Sequence, residues 1–70
     1  MNVKEAMKAV YDESPVEVYL KDVDKWVECK KIISIVYSIF ENKPIVSGTV
    51  IDRTGNSTIT AKLSDIRLKE

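Results

Sequence analysis

The first part of the chain carries apolar side chains at the spacing of one face of an α-helix. Apolar positions recur at steps of three and one, with charged residues between them: Val3, Ala6, Met7, Val10 and Tyr11. Asn2 can cap this helix, because Glu5 follows three residues later as in a capping box. Ser14 precedes Pro15 and is therefore disfavoured in helical geometry, so we predict a helix over residues 2–13. A helix of about three turns is marginal alone and needs a surface on which to dock.

After Pro15 the apolar period changes to that of a strand. Val16, Val18 and Leu20 alternate with residues of the opposite face, which predicts a half-buried strand. Residues 22–24 have the composition of a turn. A second strand is expected to begin near Trp26 and to run on through Cys29.

The apolar stretch at residues 32–40 fits two periods. As a helix it would form one apolar stripe, and the chain would then be an α+β sheet with a second helix at 32–40. Most of its residues are β-branched or tyrosine, and none is a strong helix former, which favours a strand. As a strand, it would place Ser34 and Ser38 on its less buried face.

The second half of the chain predicts short strands separated by tight turns. The elements expected are a turn at 41–44, a strand at 45–51, a turn at 52–55 closed by a glycine, a strand at 58–63, a single turn at 64–66 and a last strand at 67–69. Gly48 lies within a strand, where a glycine often marks a bulge or bend. The predicted core is Val3, Met7, Val10, Val16, Val18, Leu20, Val27, Ile33, Ile35, Val50, Ile59, Ala61, Leu63, Ile66 and Leu68.

This order of elements resembles the SH3-like small barrels, whose fourth and fifth strands are joined by one short turn of helix. The resemblance rests on residues 46–52, 58–63 and 64–68 and covers roughly residues 16–69. It implies a mainly β domain over residues 1–70, with a helix at 2–13 and a five-stranded small barrel at 16–69. A looser similarity to Sm-like RNA-binding barrels rests on the N-terminal helix and the first strand, residues 16–22. Val23 stands where that family has a glycine, and no binding residue is carried over.

Composition narrows the chemistry that this chain can perform. The 70 residues include 11 basic and 11 acidic side chains, one cysteine and no histidine. A lone thiolate without histidine cannot build a structural zinc site or an activated nucleophile, so we expect no metal, no cofactor and no enzymatic activity. Cys29 is expected to be a partly buried core thiol. Asp22 and Asp24 are expected to be solvated turn residues.

The same features suggest where the protein acts. A single cysteine is typical of a reducing compartment, the charged N-terminus does not read as a signal peptide, and the apolar run is too short to cross a membrane. We therefore expect a cytoplasmic location and no membrane partner. The Lys-, Ile- and Val-rich composition would suit a small bacterial or phage protein.

Two functions remain open from the sequence. The first is a non-catalytic protein-interaction module that self-associates, because a strand at 32–40 has apolar side chains on both faces. Aromatic residues are favoured anchors of interfaces, and the candidate partner surface is Tyr19, Trp26, Tyr37 and Phe40. The alternative is a small nucleic-acid-binding barrel that stacks bases on aromatic rings beside lysines. Its candidate contacts are Tyr19, Trp26, Lys21, Lys25 and Lys30, with carboxylates interleaved among them.

Overall fold

The computed structural model describes residues 1–69; the last residue of the predicted domain, Glu70, lies outside the described part. Within these 69 residues the chain forms one helix and five strands. In chain order they are α1 (Val3–Asp12), β1 (Val16–Leu20), β2 (Lys25–Phe40), β3 (Lys43–Asp52), β4 (Thr58–Lys62), a 3-10 turn (Leu63–Asp65) and β5 (Ile66–Leu68).

The predicted limits of α1 are confirmed by its caps. The Asn2 side chain accepts a hydrogen bond from the Glu5 backbone N–H (2.8 Å), and the Glu5 carboxylate accepts one from the Asn2 N–H (3.1 Å). These reciprocal bonds satisfy two amide groups that have no partner within the helix. At the other end Glu13 adopts a left-handed conformation, and the Ser14 N–H reaches back to the Ala9 carbonyl (3.0 Å). Helix α1 therefore ends before Pro15.

The five strands form one antiparallel sheet with the order β4-β3-β2-β1-β5. The mainly β architecture with an N-terminal helix is as predicted, but the sheet is not closed into a barrel. Within residues 1–69, β4 and β5 are the two edges of the sheet and do not pair with each other. The 3-10 turn connects β4 at one edge to β5 at the other. Its first residue, Leu63, and the residue that follows it, Ile66, are both buried. Side-chain packing, rather than backbone pairing, thus fills the gap between the two edges.

Strand β2 runs unbroken for 16 residues, so the strand prediction for residues 32–40 is confirmed and the second helix is not present. Its pairing with β3 shifts register twice, leaving Lys30 and Ile33 as extra residues on the β2 side. Each extra residue turns the following side chains to the other face of the sheet. Cys29 and Ile32 are consequently both buried although they are three residues apart, and Ile33 is 43% exposed. The prediction of Ile33 as a core residue is wrong for this reason.

One tight turn and one closely packed glycine shape the β2–β3 hairpin. Glu41 and Asn42 both have positive φ and form a two-residue loop between Phe40 and Lys43, which matches the right-handed twist of the strands. The predicted turn at 41–44 is therefore shorter than expected, because β3 begins at Lys43. Gly48 pairs regularly opposite Ile35 and forms no bulge. A Cβ atom at Gly48 would lie 2.9 Å from Ile66 Cδ1, so close packing accounts for the glycine.

The core lies between the inner face of the sheet and α1. It consists of Ala6, Ala9, Val16, Val18, Cys29, Ile32, Val50, Leu63 and Ile66. Four predicted core residues are instead exposed: Val3, Met7, Ile33 and Leu68. On α1 the physical reason is that the helix docks through the small side chains of Ala6 and Ala9, which permit close approach to the sheet. The larger residues of the stripe are left beside the contact rather than in it.

Candidate interaction surface

The solvent side of α1 carries the larger apolar side chains of the predicted stripe. Tyr11 is 88% exposed and Met7 is 61% exposed, and Val3 lies next to them along the helix. With the half-buried Val10 and with Ile35 of β2, these side chains line an open groove of about 410 Å3. No charged side chain lines this groove among the described residues. It is an apolar depression between a helix and the inner face of a strand.

The face of β2 that carries Ile35 continues beyond the groove toward the tip of the hairpin. From Ser34 onward β2 pairs with β3 without a register shift, so Tyr37 and Ile39 lie on the same face as Ile35. Tyr37 is 66% exposed and Ile39 is 69% exposed. We call the combined surface the apolar face and define it as Val3, Met7, Tyr11, Ile35, Tyr37 and Ile39.

The size of the apolar face matches that of the largest apolar patch on a typical monomer. A tyrosine side chain covers about 200 Å2, so the exposed parts of Tyr11 and Tyr37 alone amount to roughly 300 Å2. Val3, Met7 and Ile39 extend the patch further. The largest apolar patch on a typical monomer is about 300–600 Å2 and is often functional.

Charged groups border the apolar face without entering it. Lys31 donates a hydrogen bond to the Glu13 carboxylate (2.8 Å), which joins the end of α1 to β2. This bond and the charge of Lys31 lower the pKa of Glu13. Lys8 and Asp12 form an ion pair one helical turn apart (3.6 Å). An apolar centre with a polar rim is the composition of a protein interface.

A second cluster lies on the opposite face of the sheet, where Tyr19 of β1 is directly opposite Trp26 of β2. Their ring centroids are 5.5 Å apart and the rings are tilted by 57°. The Arg67 guanidinium lies 4.0 Å from the centre of the Trp26 ring and donates to the Glu17 carboxylate (2.9 Å). The Tyr19 hydroxyl donates a hydrogen bond to Asp24, and this bond raises the pKa of Tyr19.

The structure does not gather the predicted partner surface into one place. Tyr19 and Trp26 lie together on the outer face of β1 and β2, whereas Tyr37 lies on the inner face of the hairpin. Phe40 is 64% exposed and alternates with Ile39, so it points to the side opposite the apolar face. Two predicted residues therefore remain adjacent, and Tyr37 belongs to a different surface.

The lysines predicted to contact nucleic acid are also dispersed. Lys21 lies in the exposed turn after β1, and Lys25 is exposed at the start of β2. The Lys30 side chain extends to the β3–β4 turn, where its Nζ would be 3.1 Å from a Cβ atom placed on Gly55. Between these positions Glu17 and Glu28 face each other across β1 and β2. The outer face thus carries both signs of charge.

Sequence reasoning missed the contributions of Val3, Met7, Tyr11 and Ile39 to a surface. The helical period predicted Val3 and Met7 as core residues. An amphipathic pattern shows which residues share the apolar stripe, but it does not show which residues of the stripe contact the sheet. The signal that was present is the pair Ala6 and Ala9, two small residues three apart. Such a pair favours close contact between a helix and a sheet. From it, one could have predicted that the larger side chains of the stripe face outward.

The single thiol and the acidic groups are placed for structural roles. Cys29 is buried as expected, and this burial, with a smaller effect of Asp52, raises its pKa. Asp52 accepts hydrogen bonds from Thr54 Oγ1, the Gly55 N–H and Ser57 Oγ at 2.8–2.9 Å, which lowers its pKa to about 2. Among residues 1–69 no group of three or more Cys, Asp or Glu side chains is arranged to hold a metal ion.

Comparisons of the chain with protein-family models, with curated proteins and with solved structures found no match. Over the described residues, α1 falls short of the length and apolarity that a membrane-crossing helix requires.

Proposed function

We propose that this protein is a non-catalytic interaction module that self-associates through the apolar face. The observation that supports this function is the exposure of Met7 and Tyr11 on α1 and of Tyr37 and Ile39 on the sheet face that α1 packs against. In a monomer these side chains remain in water at a free-energy cost, and a second copy presents the same surface to them. A two-fold contact would therefore bring the two faces together and remove part of each from water at once.

The free energy gained by burying apolar surface and the entropic cost of association are compatible with a reversible dimer. Roughly 300 Å2 of tyrosine surface from each of two copies gives a gross gain of about 15 kcal/mol at about 25 cal/mol/Å2. The loss of translational and rotational freedom costs roughly 4–15 kcal/mol. The difference of roughly 0–11 kcal/mol includes the 4–8 kcal/mol of millimolar to micromolar dissociation constants, and we expect the dimer to dissociate in that range.

The test compares one charge placed on the apolar face with the same charge placed elsewhere. Met7→Lys puts an ammonium group in the centre of the groove. Val23→Lys is the matched control, since Val23 is also an exposed apolar residue (56%) but lies in the β1–β2 turn. Size-exclusion chromatography with light scattering should show a concentration-dependent mass for the wild type and for Val23→Lys, and a lower mass for Met7→Lys. Equal behaviour of the two variants would refute the assignment of the apolar face.

The wider relationship and the location of the protein are part of the same proposal. Kinship with the SH3-like small barrels is supported by the order of the elements. This order is a helix, a meander of three strands, a tight β3–β4 turn and a 3-10 turn before β5. In this chain the sheet stays open, with β4 and β5 as its edges. The single buried thiol supports a reducing, cytoplasmic setting.

Nucleic-acid binding is a second candidate, and the contact between Tyr19 and Trp26 favours it. Two adjacent aromatic rings with the Arg67 guanidinium nearby can stack unpaired bases. Fluorescence anisotropy of labelled single-stranded RNA and DNA at low and physiological salt tests this candidate. Micromolar binding that weakens with salt and is lost in Tyr19→Ala, but kept in Tyr37→Ala, would support it. Absence of binding at low salt would remove it.

A further inference from the structure

One edge of the hairpin formed by β2 and β3 has no pairing strand among the described residues. Strand β1 pairs with β2 only between Lys25 and Cys29, whereas β3 pairs with β2 as far as Phe40. Over residues 1–69, the half of β2 that leads to the hairpin tip therefore has a backbone partner on one side and none on the other. Helix α1 borders this edge near Ile35, where it lines the groove.

The register shows which backbone groups point to the open side. A two-residue loop is closed by a pair that exchanges both backbone hydrogen bonds, here Phe40 and Lys43. Bonded and non-bonded pairs alternate from there, so the N–H and C=O groups of Ile35, Tyr37 and Ile39 point away from β3. Pro44, which has no N–H, is paired with Ile39 at a non-bonded position, in agreement with this assignment.

This edge lacks the features that protect the other edges in the described part of the chain. Strand β4 is five residues long and ends in Lys62, β5 is three residues long and contains Arg67, and the free part of β3 contains Pro44. Short length, charge and proline all oppose strand addition. Residues 32–40 of β2 contain neither a charged residue nor a proline. A long, apolar edge without such protection is a template for another strand.

We infer that a second copy of this chain adds to the open edge of β2, strand against strand and antiparallel, so that two five-stranded sheets become one. This inference rests on the proposed self-association and specifies its geometry. A two-fold axis at Tyr37 pairs Tyr37 with its own copy and Ile35 with Ile39 of the second copy. The side chains of the two apolar faces then meet on the same side of the joined sheet.

Charge supports a second copy as the occupant. The uncharged stretch 32–40 brings no like charges together when it pairs antiparallel with itself. The same pairing places Glu41, at the hairpin tip of one copy, opposite Ile33 of the other and two residues from Lys31, which also pairs with Glu13 of its own chain. Lys43 is one strand further from the second copy, because it belongs to β3. The two-fold axis produces this favourable approach twice.

The decisive test follows individual backbone amides by hydrogen exchange, measured by NMR at several protein concentrations. Strand addition predicts that the Tyr37 and Ile39 amides exchange rapidly in dilute protein and become protected as the concentration rises. The Ser38 and Phe40 amides, which point to β3, should be protected at every concentration and serve as internal controls. Self-association without protection of Tyr37 and Ile39 would overturn the strand-addition geometry and leave the proposed function standing. A monomer at all concentrations would overturn both.

A pair of variants tests the same geometry independently. Ile39→Pro removes an N–H that does not bond to β3, whereas Ile39→Val retains the N–H and an apolar side chain of similar size. Two hydrogen bonds are lost per dimer, one from each copy, so we expect Ile39→Pro to weaken dimerisation at least roughly 30-fold relative to Ile39→Val. Equal affinities of the two folded variants would refute backbone pairing. If Ile39→Pro does not fold, the exchange experiment on the wild type decides.

Discussion

Truncation of Ile32 and truncation of the adjacent Ile33 should lower the free energy of unfolding by very different amounts. Ile32 is 1% exposed and Ile33 is 43% exposed, because Ile33 is the extra residue at the second bulge of β2. Ile32→Ala removes fully buried methyl groups from the core and leaves a cavity, at a cost of about 3–4 kcal/mol. Ile33→Ala removes partly solvated groups without a cavity, at a cost of about 1 kcal/mol. Loss of strand propensity is the same in both variants and cancels in the comparison.

The expected difference is large relative to the whole stability of the domain. A chain of this length is stabilised by roughly 4–10 kcal/mol, so Ile32→Ala should be close to unfolding while Ile33→Ala remains folded. Urea unfolding followed by the fluorescence of Trp26 and by circular dichroism measures both variants. The protein must be dilute enough to be monomeric, since Ile33 is near the open edge. A larger loss for Ile33→Ala than for Ile32→Ala would refute the bulge and the inner face assigned to β2.

Three further predictions concern single groups. Asn2→Ala should lower the free energy of unfolding by about 1 kcal/mol in urea titrations, because it removes the N-cap of α1, and an unchanged midpoint would contradict that role. The pKa of Asp52 is about 2, below its ordinary value of 3.8, so its stabilisation is complete above about pH 5 and is lost progressively as the pH falls toward 2. Asp52→Asn should flatten acid unfolding over that interval, and an unchanged acid profile would show that the turn does not depend on the carboxylate. The thiol of Cys29 should react with a disulfide reagent only as fast as the protein opens, and rapid labelling in native buffer would show that Cys29 is exposed.

The helix and the strands could be predicted from the sequence, because the signals that specify each of them lie within the segment itself. The Asn2–Glu5 capping box, the alternation of Val16 and Val18, and the glycine at the β3–β4 turn each fix a short segment through its own backbone. The strand at 32–40 followed from β-branched composition, which excludes a favourable helix. These features do not depend on what the segment packs against.

The faces of the elements depend on longer-range packing and were harder to predict. Two extra residues in β2 reverse the alternation between Cys29 and Ser34, and neither Lys30 nor Ile33 marks a bulge by its type. On α1, the choice between docking through Ala6 or through Met7 depends on the distance to the sheet. The apolar face could therefore not be located from periodicity. The sequence did predict an apolar surface on residues 32–40, and this stretch supplies Ile35, Tyr37 and Ile39 of the apolar face.

Sedimentation equilibrium of the wild-type chain across micromolar to millimolar concentrations tests the central claim most directly. Self-association through the apolar face predicts a mass that rises from the 8.0 kDa of one chain toward twice that value, with Met7→Lys remaining near 8.0 kDa under the same conditions. A mass of 8.0 kDa for the wild type at every concentration would contradict the claim. A dimer that Met7→Lys leaves unchanged would contradict the surface assigned to it.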